Sequence, residues 1–239
     1  MHCRLNIGNT HTQILTVDDD GLRTLRTIAT DAFSPKMIPS GAEVAAACVV
    51  EKLFPVLASV KAHLATPEAA SRFVDFSAVD ASTLGQDRVA NAVYLAAKAV
   101  LPAVSLDFGT CITAEVVDAD RRFLGGPIFP GRSLARKALN LYTSKLPLVK
   151  LFPDPPPCPA ANTVEAIRAG TDAAAIDAVA GFLARLEKVL GCRPAVYAGG
   201  GDRAFFLGAP ELSGMIDTGD DLTLGGLELL FPSSGKQDK

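Results

Sequence analysis

A phrase used twice constrains this chain more than any other feature. Leu5-Asn6-Ile7-Gly8-Asn9-Thr10 leads through His11-Thr12 into Gln13-Ile14-Leu15-Thr16-Val17, and about a hundred residues later Leu106-Asp107-Phe108-Gly109-Thr110 leads through Cys111-Ile112-Thr113 into Ala114-Glu115-Val116-Val117. Each copy reads as a strand, a small-residue turn and a second strand. Taken singly, either copy is an ordinary hairpin. The repetition extends further, because Asp18-Asp19-Asp20-Gly21 follows the first copy and Asp118-Ala119-Asp120, ahead of Gly125-Gly126, follows the second. A duplicated domain is therefore expected, with two similar halves at 1–103 and 104–239.

The turns carry chemistry as well as shape. Glycine permits close backbone approach to a ligand, and threonine and asparagine add donors beside exposed N–H groups, a combination suited to phosphate oxygens. Two such turns predict a nucleotide gripped between the halves.

Along the rest of the chain, Leu22 to Ile28 reads as a third strand. Gly41 to Ala47 reads as a helical stretch leading into a buried strand at Ala46 to Val50. Gly85 to Leu101 reads as a helix with an acidic start at Asp87 and an apolar stripe at Val89, Ala92, Val93, Ala96 and Val100. In the second half, Ser133 is the expected N-cap of a helix from Leu134 to Lys145. Pro153 to Pro159 forms an extended connector. Asn162 and Thr163 open a long helix, with a break expected near Gly170-Thr171. A strand at Ala195 to Ala198 runs into Gly199-Gly200-Gly201, Leu222 to Leu230 is a closing apolar segment, and the tail from Pro232 is expected to be disordered. Strands alternating with helices, twice over, give an α/β architecture with its ligand in the inter-domain cleft.

Charge and cysteine content narrow the partners. The net charge of −3, with Lys and Arg scattered, supplies no basic patch for nucleic acid or an anionic membrane. Five separated cysteines without a Cys-x-x-Cys pair form neither a disulfide framework nor a zinc site. No apolar run reaches the roughly 18 residues of a spanning helix. A cytoplasmic protein that binds neither nucleic acid nor membrane is expected.

The motifs in order, Asn6 to Gln13, Gly85-Gln86-Asp87-Arg88, Asp107-Phe108-Gly109-Thr110, Gly125-Gly126 with Pro130-Gly131, Leu146-Pro147, Asn162-Thr163 and Leu222 to Leu227, resemble the type III pantothenate kinase family. That family has duplicated ribonuclease-H-like domains of the actin, sugar kinase and Hsp70-like superfamily. The resemblance implies ATP-dependent phosphorylation of pantothenate, the first step toward coenzyme A. It implies ATP contacts, with Mg²⁺, at Asn6, Ile7, Gly8, Asn9, Thr10, His11, Thr12, Gln13 and Thr110, and Asp87 as proton acceptor. Gly85, Gln86, Asp87, Arg88 and Thr163 would contact pantothenate, and Asp107 would hold K⁺ or NH₄⁺. The family is a homodimer in which the Thr163 region reaches the partner's site. Arg88, beside Asp87, offers a planar fork suited to a carboxylate. As a plain structural reading, Asp87-Arg88 begins a helix, Asp107 caps its own turn and Thr163 starts a helix. This chain carries Asn6 where relatives usually have aspartate, and Gly199-Gly200-Gly201 where they often read Thr-Gly-Gly. A catalytically weakened, regulatory relative of the Bvg accessory factor type is the alternative.

Overall fold

A computed structural model describes residues 1–154 and 158–232; residues 155–157 of the expected proline connector and the tail from 233 lie outside them. The chain forms two sheets of the same topology. In the first, β1 (His2–Ile7), β2 (His11–Val17) and β3 (Arg23–Ala29) form an antiparallel meander. After it, β4 (Glu43–Cys48) pairs parallel to β1, α1 (Phe54–Ser59) crosses over, and β5 (His63–Leu64) completes the order β3-β2-β1-β4-β5. Short α2 (Pro67–Ala70) leads to α3 (Gln86–Lys98). The second half repeats the plan with β6 (Ala103–Phe108), β7 (Cys111–Val117), β8 (Phe123–Gly125), a small β9 (Ile128–Pro130) on β7, α4 (Arg132–Leu141), α5 (Thr163–Leu190), β10 (Ala195–Gly199), α6 (Arg203–Leu207), β11 (Ile216–Asp217) and α7 (Asp221–Leu230). Its order, read from the other edge, is β8-β7-β6-β10-β11.

Period-two alternation divides each sheet between two cores. Cys3, Leu5 and Ile7 pack outward with Leu57, and Val104, Leu106 and Phe108 pack outward beneath α5 and α6. Between the sheets lies a third cluster in which Leu15 and Ala47 meet Ala103 and Val117 around α3 and α7. The two helices touch closely because a Cβ on Gly226 would collide with the carbonyl of Ala90. Thr223 Oγ1 donates to Asn91 Oδ1 at 2.8 Å across the same seam.

Four expectations are corrected. Residues 43–48 are strand throughout, not helix then strand: β4 is a central parallel strand buried on both faces, and such a run carries no period to separate it from a helix. Val100 lies outside α3 and is exposed, whereas Val89, Ala92, Val93 and Ala96 are buried. Ser133 is inside α4, whose N-cap is Gly131. Finally, α5 runs unbroken through Gly170-Thr171, because Thr171 Oγ1 donates back to Ile167 O at 2.8 Å and accepts from Arg136 Nε at 3.0 Å. The close of α5 is conventional, with Gly191 in the left-handed region at φ 70°.

Candidate active site

The two repeated turns face each other. Gly8 N donates to His11 O at 3.0 Å and Gly109 N to Cys111 O at 3.0 Å, so each turn closes on its own second strand. Thr10 Oγ1 and Thr110 Oγ1, one from each turn, are hydrogen-bonded at 2.7 Å. The supports behind them differ. Thr30 braces the first turn, donating from Oγ1 to Gly8 O at 2.7 Å and from its backbone N to Thr10 O at 2.9 Å. Behind the second, Gly131 N donates to Thr110 O at 3.0 Å, and a Cβ on Gly131 would collide with the carbonyls of Gly109 and Thr110. Sequence reading missed Thr30, since nothing local marks a residue whose partners lie on another strand pair.

Asn6 and Asp107 occupy the same place in the two halves, two residues before each turn glycine. Asn6 is paired: its Nδ2 donates to Gln13 Oε1 at 3.0 Å, and Gln13 Nε2 donates to Asp220 Oδ1 at 3.2 Å. That leaves Asn6 Oδ1 as an oxygen acceptor. Asp107 accepts no hydrogen bond among the described residues, and Gly200, at φ 88°, packs against it so closely that a Cβ would collide with Oδ1. Burial, reinforced by the charges of Glu115 and Asp87, pushes its pKa from 3.8 up to about 7. An unpartnered carboxylate of this kind can supply oxygen ligands to a cation, and a bound cation would favour its ionised form.

Asp87 lies in the first turn of α3. Its Oδ1 accepts from Arg88 N at 2.8 Å, and it sits against Gly85, where a Cβ would come within 2.6 Å of it. Burial raises its pKa, opposed by the Arg88 amide and charge. A carboxylate raised in this way is better matched to accepting a proton near neutral pH than an exposed one. Gln86 is occupied, its Oε1 accepting from Cys48 N at 3.0 Å.

Arg88 does not present its fork to the cleft. Nε bonds Glu115 Oε1 at 3.0 Å, while Nη2 donates to Ala114 O at 2.8 Å and Gly126 O at 3.0 Å, which leaves Nη1 without a protein partner among the described residues. Glu115, fully buried, also accepts from Asn91 Nδ2 and Ser105 Oγ, and its pKa is raised by that burial. Ile7 and Thr12 are buried as well, with the Thr12 hydroxyl bonded to Thr30 Oγ1 at 3.1 Å, so neither side chain is offered to a ligand. Asn9 and His11 are exposed at the turn.

Thr163 joins none of these residues. It is the exposed first residue of α5, capped by Asn162, whose Oδ1 accepts from Glu165 N at 3.0 Å while Glu165 Oε2 accepts from Ala161 N at 2.8 Å.

Comparison with known proteins bears on this arrangement. A family model of type III pantothenate kinases matches residues 42–185. The type III pantothenate kinase of Syntrophobacter fumaroxidans is 35% identical over 153 residues, 64% of this chain and 58% of its own length. That of Akkermansia muciniphila is 38% identical over 146 residues, 61% of this chain and 59% of its own length. The match thus spans less than two thirds of these relatives. Among solved structures, a Baf family protein from Campylobacter jejuni superposes with a TM-score of 0.62 at 21% identity, covering 95% of this chain and 96% of that one, a likeness of fold.

Proposed function

The chain belongs to the type III pantothenate kinase family and has the duplicated fold of the actin, sugar kinase and Hsp70-like superfamily, and from this we infer that it transfers a phosphoryl group from ATP to the terminal hydroxyl of pantothenate. The observation that carries the reading is the 2.7 Å contact between Thr10 and Thr110, which sets two donor-rich turns opposite each other. Phosphoryl transfer needs positioning and charge neutralisation more than covalent help, and paired turns meet that need.

The proposed roles are these. Gly8 to His11 and Thr110 offer backbone and hydroxyl donors to the ATP phosphates. Asp87, held at the start of α3, accepts the proton of the pantothenate hydroxyl. Asn6 Oδ1 and the phosphates themselves would hold Mg²⁺, and Asp107 the monovalent cation; the metal supplies charge neutralisation on the transferred group. Arg88 acts mainly by fixing α3 to Glu115 and the Gly126 turn, with only Nη1 left for substrate. Thr163 would serve a neighbouring copy. The exposed Leu141, Tyr142 and Leu148, large side chains at and beyond the end of α4, support a homodimer, and a cytoplasmic enzyme is proposed. Among the described residues no helix is long and apolar enough to cross a membrane.

Coupled measurement of ADP release tests this. It is expected to require pantothenate and to rise with potassium. No pantothenate-dependent release from the purified protein at saturating ATP, Mg²⁺ and potassium would end the reading.

A further inference from the structure

Behind the second turn lies a charge network that the phosphoryl chemistry does not use. Arg132, the first residue of α4, is 1% exposed, and all three of its guanidinium nitrogens are engaged. Nε and Nη2 grip Asp172 of α5 at 2.9 and 3.2 Å, Nη2 also donates to Phe152 O at 2.8 Å, and Nη1 reaches both oxygens of Asp202 at 2.9 and 3.3 Å. Its guanidinium stacks over the Phe205 ring, 3.3 Å from the centroid. Asp172 is fully buried and shared with Arg136.

The two ends of this network touch one stretch, residues 107–110 at the end of β6 and its turn, from two sides. On one side, Gly131 is pressed against Gly109 and Thr110 and leads directly into Arg132. On the other, Asp202 N donates to Phe108 O at 2.9 Å, and the same turn carries Gly200, whose backbone packs on Asp107. A planar fork can bind two carboxylates at once in a fixed orientation, which the single rotating ammonium of a lysine cannot impose. We propose that Arg132 is a positioning residue: through Gly131 and Asp202 it holds the 109–110 turn and the 199–202 turn at a fixed separation, so that a nucleotide phosphate chain and the Asp107 carboxylate meet in one geometry. The inference rests on the reading of the cleft as the nucleotide site.

Arg132→Lys and Asp202→Asn test it together. Asp202 is partly exposed and its loss leaves Arg132 bound to Asp172, so that variant is the one that retains the fold if the first does not. Three readouts apply: amide hydrogen exchange at 108–111 and 199–203, the ADP dissociation constant, and KM for ATP against KM for pantothenate. Faster exchange at both turns is expected, with ADP binding and KM for ATP weakened roughly 10-fold, at the low end of what outer positioning partners cost, and KM for pantothenate little changed. Exchange and nucleotide affinity both unaltered in folded variants would overturn the proposal, as would faster exchange with unaltered affinity. A wild-type protein that binds no nucleotide, while both variants loosen the two turns, would sink the site reading and leave the clamp standing.

Discussion

The two halves share a sheet order, a hairpin and even an acidic turn, yet they hold opposite chemistry at equivalent positions. Asn6 is neutral and hydrogen-bonded to Gln13; Asp107 is ionisable and accepts no hydrogen bond among the described residues. The inner helices differ in the same sense. Both α3 and α7 carry an acid in the first turn, but Asp87 is partly buried near Asp107, whereas Asp221 is 65% exposed and lies 3.8 Å from Arg23. Duplication supplies the frame, and burial sets apart the copies that the proposed chemistry uses.

The largest effect expected from breaking this asymmetry is at the helix starts. Asp87→Asn should lower turnover by roughly 10²–10⁴, the usual worth of a positioned proton acceptor, whereas Asp221→Asn should leave it unchanged; coupled assays on both variants measure the contrast. Equal losses would mean that the α3 acid has no special role. Because burial raises the Asp87 pKa, its ionised, proton-accepting form is lost as pH falls, so kcat of the wild type should decline on the acid side.

Next in size is Asp107→Asn, which makes the second half resemble the first. Activation by potassium should disappear. The folded-state pKa is raised to about 7 from 3.8, so the native state holds this proton more tightly than the unfolded chain. Burial of the carboxylate therefore costs stability progressively as pH climbs between those values. Without potassium, the variant should melt several degrees above the wild type at pH 8 and close to it at pH 4, at roughly 2–4 °C per kcal/mol for a chain of this size. An identical shift at both values would remove burial of the charge as its cause.

The reverse exchange, Asn6→Asp, makes the first half resemble the second. If a carboxylate there helps hold Mg²⁺, turnover should rise, by up to roughly 10² on the scale of one preorganised electrostatic contact. Gln13 must then turn its amide to donate to the new acid, which breaks its bond to Asp220. A silent wild type that stays silent as Asn6→Asp would favour the regulatory alternative over a slowed kinase.

What the sequence disclosed and what it withheld follow the same division between local and distant. The hairpins were legible because a turn is specified within a few residues by Gly8 or Gly109 and the apolar alternation around it. The longer strands and helices were likewise placed to within a few residues, whereas the short α1, α2, α6, β9 and β11 went unread. The candidate side chains were also nameable, but their partners were not. That Arg88 spends its fork on Glu115 and two carbonyls, or that Thr30 props Gly8, depends on contacts across 22 to 38 positions of sequence. The helix wrongly expected over most of β4 and the break wrongly expected in α5 have one origin: tertiary surroundings, a two-sided buried strand in one case and the Arg136–Thr171 bond in the other, override local preference.

The smallest effect sharpens the comparison at its most exact point. After each hairpin the first aspartate folds the chain identically: Asp18 Oδ1 accepts from Asp20 N at 3.0 Å and Leu22 N at 2.8 Å, and Asp118 Oδ1 accepts from Asp120 N and Arg122 N, both at 2.9 Å. The third residue after each aspartate is left-handed, but it is Gly21 at φ 84° in one copy and Arg121 at φ 62° in the other. Glycine adopts that region freely, while a residue with a Cβ is strained there by about 1–2 kcal/mol, partly offset by the chain entropy glycine loses on folding. Arg121 is exposed and joins the turn through its backbone, its N donating to Asp118 O and its O accepting from Asp75 N. Arg121→Gly should therefore stabilise the protein by about 0.5–1 kcal/mol, and Gly21→Ala should destabilise it by a similar amount. Denaturant midpoints of the two variants measure both signs. If both substitutions shift the midpoint in the same direction, the two turns are not energetically equivalent and the repeat is one of shape alone.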